Sequence, residues 1–148
     1  MLAIGDMHRA FVADAYSHWA AAAAELQRQG RLPEGDAQRA AALLGFGRLI
    51  GNTDIHSANL GLMVGLDGLA KGRFQLAPVY DTLPMRWKPN PETGGAADYT
   101  LFEPERSPMT QPSLAAARDY WQRLAGLDTV SARLRAVAAE MGRRLGVD

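Results

Sequence analysis

Gly51-Asn-Thr-Asp-Ile-His-Ser-Ala-Asn-Leu60, with Ala77-Pro-Val-Tyr-Asp81 further along, marks where a helical sequence gives way to short apolar runs. The first stretch sets Asp54, His56 and Asn59 in one loop, and the second adds another carboxylate, Asp81. Residues 60–64 and 73–79 are the apolar runs, and Asp67-Gly68 between them is a turn signal, so the pattern predicts a β-hairpin. A hairpin would return Asp81 to the neighbourhood of the loop.

Working outward, both flanks read as helical. Asp6 suits the cap of a helix running to about Gln29, with Gly30 as its stop. Phe11, Ala15 and Trp19 recur at a spacing of four, with Val12 and Tyr16 beside them, and the alanines at 20–24 favour helix with little bulk. Pro33 fits the first turn of a second helix ending at Gly51, with Ala37, Ala40, Ala41, Leu44 and Ile50 inward and Phe46 and Leu49 on its flanks. Residues 83–112 hold six of the eight prolines around Gly94-Gly95, which predicts an ordered loop without regular structure. Ser113 suits the cap of a third helix with Leu114, Ala117, Trp121 and Leu124 inward. Asp128 or Thr129 suits the cap of a fourth, whose stripe is Val130, Leu134, Val137, Met141 and Leu145. The fold class is therefore mainly α with one β-hairpin, in a single domain over residues 1–148.

Bulk properties narrow the function classes. The chain has 148 residues, 16 basic and 16 acidic, so no net charge draws it toward nucleic acid or a membrane surface. It has no cysteine, which excludes disulfides and thiolate chemistry. No apolar run reaches the roughly 18 residues of a membrane span, and no secretion signal is visible, so a cytoplasmic location is expected.

The polar residues of the loop suit phosphoryl transfer. In kinase-type chemistry one aspartate accepts or orients the attacking hydroxyl, while an asparagine a few residues on and an aspartate on a neighbouring loop hold the magnesium ions. Magnesium takes oxygen ligands and needs only one or two from protein carboxylates. Each residue also has a plainer reading: Asp54 and Asp81 as turn caps, Asn59 as a backbone-bonding residue at the hairpin entry, His56 as a scaffold member. His8 and His18 read as ordinary surface or boundary residues, and Trp19, Trp87 and Trp121 as packing residues. Trp87, Arg86 and Lys88 follow the second motif, where the two cations would meet phosphate or a protein substrate, or simply solvent.

Asn52-Thr-Asp-Ile-His-Ser-Ala-Asn59, with Leu76-Ala-Pro-Val-Tyr-Asp81, resembles the catalytic and metal-binding loops of HipA-type serine/threonine kinases, the toxins of bacterial toxin–antitoxin pairs. The continuation Tyr80-Asp-Thr-Leu-Pro-Met85 looks most like the YjjJ branch of that family. The resemblance implies the C-terminal helical lobe of a protein-kinase-like fold, with Asp54 and His56 in catalytic positions, and Asn59 and Asp81 as ligands of Mg²⁺ serving ATP. It also implies a protein substrate. A complete member carries an N-terminal lobe that grips ATP with a phosphate-binding loop and a lysine. Here the fifty residues before the motif read as two helices, with no glycine-rich strand-turn-strand and no lysine before Lys71. The expectation is a C-terminal lobe alone, weak or inactive unless a separate N-terminal lobe complements it, with an antitoxin chain as another possible partner.

Two alternatives stand beside the kinase reading. One is a non-catalytic remnant that acts as a partner-binding helical domain. The other takes Asp54, His56 and Asp81 as a transition-metal set of one histidine and two carboxylates.

Overall fold

The computed structural model describes residues 1–89, 91–92, 94–95, 99–105 and 109–146. These residues form six α-helices and a three-stranded antiparallel sheet. The chain divides into two compact units, residues 1–44 with 54–82, and residues 45–53 with 83–148.

In the first unit, strand β1 (Leu2–Ala3) leads directly into helix α1 (Ile4–Phe11), and α2 (Trp19–Arg28) follows after a break. The single helix expected from Asp6 to Gln29 is thus two helices. The amphipathic spacing persists across the gap, but Val12 adopts extended backbone and extended His18 caps α2, its Nδ1 accepting the Ala21 N–H at 3.1 Å. A β-branched residue followed by Asp14, Ser17 and His18 offers the chain non-helical alternatives, and the alanine run restarts the helix. Asp6 lies in the first turn of α1 rather than at its cap, where a carboxylate complements the helix dipole.

Helix α3 (Glu34–Leu49) begins just after Pro33 and stops at Gly51, as the sequence indicated. Gly51 has φ +76°, a conformation that favours glycine, and a Cβ there would lie 3.0 Å from the Phe102 ring, a tight contact that the ring would have to ease. Strands β2 (Gly61–Met63) and β3 (Gln75–Leu76) pair antiparallel, with Leu62 opposite Leu76. β1 pairs on the other side of β2, with Leu2 opposite Leu62, and this strand was not foreseen. The β2–β3 connection is also not a tight turn: helix α4 (Leu66–Lys71) occupies it, and Asp67 lies in that helix's first turn.

Ile4, Trp19, Leu26, Leu44, Leu62 and Phe74 are buried together in the core of this unit. Asp36 joins them at 5% exposure. Its Oδ2 accepts the Leu76 N–H at 2.8 Å, and its other oxygen pairs with Arg39. The Phe74 N–H donates to the Arg31 carbonyl, also at 2.8 Å.

The second unit packs Leu49 and Ile50 with Trp87, Trp121 and the two closing helices, α5 (Gln111–Ala125) and α6 (Ala132–Arg144). Leu49, expected on a flank, is fully buried. Residues 83–110 are irregular where described, apart from one 3-10 turn at Met85–Trp87. Ser113 is not the cap of α5: Thr110 caps it, and Ser113 completes a capping box one turn in. Likewise α6 is capped by Ser131, whose Oγ accepts the Leu134 N–H at 3.2 Å, rather than by Asp128 or Thr129. The inward stripes hold: Ala117, Trp121 and Leu124 are buried on α5, and Val137 and Met141 on α6. No helix of the described residues is long and apolar enough to cross a membrane.

Candidate functional site

The loop over residues 54–60 belongs to the first unit. Its own backbone folds tightly, with the His56 N–H donating to Asp54 O and the Asn59 N–H to His56 O, both at 3.1 Å. The start of α1 anchors it. The Ile4 N–H donates to Leu60 O at 2.9 Å and the Gly5 N–H to Ser57 O at 3.2 Å. A helix N-terminus has N–H groups without helical partners, and here loop carbonyls take two of them. A Cβ on residue 5 would sit 2.4 Å from the Ser57 Cβ, so glycine is what admits the approach. On another side the Trp19 indole N–H donates to His56 O at 2.8 Å, from a ring only 2% exposed.

That framework holds three polar side chains in one set. Asn59 Nδ2 donates to the Asp54 carbonyl at 2.9 Å and to Asp54 Oδ2 at 3.1 Å. Both partners are acceptors, so the amide nitrogen must face Asp54, which leaves the Asn59 carbonyl oxygen as the ligand-type atom. The Ala58 N–H donates to His56 Nδ1 at 3.2 Å, so a neutral ring carries its proton on Nε2. Nε2 lies 3.4 Å from Asp54 Oδ1. One oxygen of Asp54 thus faces a histidine and the other an amide, with the side chain about half exposed.

Asp81 lies on the segment after β3. It is exposed and has φ +49°, the left-handed region, and it is the one described non-glycine residue there. Such strain costs on the order of 1–3 kcal/mol and gathers at functional sites. Its segment reaches the loop through its neighbour: the Tyr80 hydroxyl donates to Ala58 O at 2.8 Å. The structure therefore brings Asp54, His56 and Asn59 together and ties the segment of Asp81 to their loop through Tyr80. The described residues contain no group of three or more His, Cys, Asp or Glu suited to a metal, so Asp54, His56 and Asp81 do not form the transition-metal set.

Sequence reasoning passed over the supports. Trp19 was read as packing, which it is, but a buried indole N–H also needs an acceptor, and that signal pointed to a second role. Gly5 carried no signal, and Tyr80 stood in the second motif with no role assigned to it. His8 was expected near the surface, yet it is 4% exposed and stands edge-on to Tyr16 at 5.6 Å. Burial pushes the Tyr16 phenol from its usual 10.0 up to about 12. Trp87 is interior, with Nε1 donating to Thr100 O at 3.1 Å, so it offers no ligand platform. Arg86 sits 5.1 Å over the Phe102 ring, while Lys88 is exposed.

Over residues 2–145 the sequence matches the family described as HipA-like C-terminal domain. The chain belongs to that family. A curated relative of this HipA-like domain is the toxin YjjJ of Escherichia coli strain K12, 34% identical over 104 residues. The matched stretch is 68% of this chain and 22% of the toxin, so this HipA-like domain spans a minor part of that relative's length. No solved structure matches it significantly.

Proposed function

We propose that this HipA-like domain carries the catalytic loop of a serine/threonine protein kinase of the toxin–antitoxin type, in the helical architecture of a kinase C-terminal lobe. The carrying observation is the orientation of Asn59, whose amide is committed to Asp54 while its carbonyl oxygen remains for a cation. In this reading Asp54 accepts the hydrogen bond of a serine or threonine hydroxyl, aligns it for attack and takes its proton. His56 holds Oδ1 of Asp54 in place from the far side and supports loop geometry. Asn59 and Asp81 would hold Mg²⁺, a hard cation that an amide carbonyl and one carboxylate suit. Bound with ATP, the ion neutralises charge that develops on the transferred phosphoryl group.

The match to a toxin supports the toxin–antitoxin setting. The grip on the nucleotide from above is assigned to an N-terminal lobe, on the same polypeptide or on a separate chain, and the substrate to a protein. The test is calorimetric titration of Mg–ATP into the wild type and Asp81→Ala, with transfer of labelled γ-phosphate to serine or threonine as a second readout. The variant should bind at least about tenfold more weakly, and Asp54→Asn should abolish transfer. Equal binding by both proteins once an N-terminal lobe is supplied, or undiminished transfer by Asp54→Asn, refutes the reading for this chain and favours the partner-binding domain without chemistry.

A further inference from the structure

We propose that a cleft between the α2–α3 turn and the β2–α4–β3 segment docks an acidic peptide segment of another protein, one that seats a bulky apolar side chain beside its carboxylates. The inference goes beyond the kinase reading and does not depend on it.

The cleft is about 490 Å³, within the usual range of ligand sites. Its lining includes Leu32 and Phe74, each 4% exposed, and Met63, which is 43% exposed. Leu32 and Phe74 form an apolar floor with little surface of their own, and exposed Met63 supplies the surface on which an apolar side chain would pack. Beside the cleft glycines Gly65 and Gly68, α4 exposes Leu66 at 91% and Leu69 at 64%, and no residue of α4 is buried. Three apart on a helix, these leucines share one face that a bound partner could cover. A small molecule confined to the cleft would leave both leucines in water, whereas a peptide crossing it can cover them.

Charge selects the partner. The lining holds two arginines and no carboxylate. Asp67 and Glu34 are near in sequence but do not line it. Arg31 is fixed: its guanidinium lies 3.8 Å over the Phe11 ring and donates to Gly72 O at 3.3 Å and to Gln29 Oε1 at 3.1 Å. Arg73 is exposed and makes no ion pair among the described residues. Arginines at an apolar site favour carboxylates, which set register and speed encounter, while the apolar anchor supplies affinity.

The site can be blocked without disturbing the fold. Gly65 has φ −82°, and nothing lies within 4 Å of a Cβ built there. The experiment records amide NMR shifts of the full chain on titration with two labelled synthetic peptides. One alternates glutamate with leucine and phenylalanine, and the other replaces every glutamate by lysine. The acidic peptide should shift amides of residues 30–33 and 63–75, and the lysine peptide should not. Gly65→Trp and Arg73→Glu should each weaken binding by about tenfold or more, with circular dichroism unchanged. Equal binding of both peptides, no shift at the cleft, or insensitivity to both substitutions overturns the proposal. So does N-acetyl-leucine producing the same shifts at the same concentration, which would make the site one for a small acid.

Discussion

Replacing Trp19 by phenylalanine isolates the support behind the 54–60 loop. The substitution keeps an aromatic ring in the core but deletes the N–H that donates to His56 O at 2.8 Å and the second ring that carries it. The net loss of such a hydrogen bond is about 1 kcal/mol, at the lower end because His56 is exposed and water can reach its surroundings. The missing ring atoms leave a partial cavity at a site 2% exposed, worth about a further 1–2 kcal/mol. The sum, about 2–3 kcal/mol, corresponds to a fall in Tm of about 5–10 °C for a chain of this size. Thermal and urea denaturation measure that cost, and amide hydrogen exchange at Ser57, Ala58 and Asn59 reads loosening of the loop. Trp121→Phe is the control, because its indole N–H donates to Leu49 O, at 3.3 Å, in the other unit. It should destabilise to a similar degree without selectively speeding exchange at residues 57–59. A Trp19→Phe protein with unchanged Tm and unchanged loop exchange would refute the account of how the site is held.

Three further outcomes are expected. Asp81→Gly should be more stable than Asp81→Ala by about 1 kcal/mol in urea denaturation, because only glycine adopts a positive φ freely. Asp36→Ala should cost about 1–3 kcal/mol by the same measurement, since it orphans the buried Leu76 N–H, while the solvent-exposed Arg39 guanidinium loses little. The Tyr16 phenol is raised in the folded state, so the fold retains a proton that the unfolded chain loses; stability should be intact below pH 10 and fall as pH rises from 10 toward about 12. Tyr16→Phe should flatten that fall in pH-dependent denaturation curves, and an unchanged slope would count against it.

Much of the fold was legible because its signals are local. Pro33 and Gly51 bracket α3, and the apolar stripes of α5 and α6 are periodic enough to name their buried faces in advance. The trio Asp54, His56 and Asn59 was equally readable, since five residues of chain cannot separate them far. The misreadings have a common cause in competition between local options. His18 caps a new helix where the apolar spacing of Phe11, Ala15 and Trp19 ran on unbroken. Asp67-Gly68 reads as a turn, but residues 65–72 have room for a helical turn, and they form one. Non-local partnerships left no trace: nothing in the chain tells Trp19 to seek His56 across 37 positions, or Asp36 to seek Leu76 across 40. Asp81 illustrates both sides: its motif put it after the apolar run that ends in β3, while its left-handed backbone and the Tyr80 tether became visible only in three dimensions.

The carboxylate of Asp36 has a consequence for how this protein behaves in a crowded solution. Open sheet edges recruit strands from other molecules. On β3 the Leu76 N–H is taken by Asp36 and the nearby Phe74 N–H by Arg31 O, so those donors are not left for a foreign strand. The opposite edge, β1, lasts two residues before the chain turns into a helix. A sheet this small has little intrinsic stability, yet its borders are stoppered from both sides. One buried acid thereby guards against runaway polymerisation, and its loss should show first as a tendency to form aggregates at concentrations the wild type tolerates.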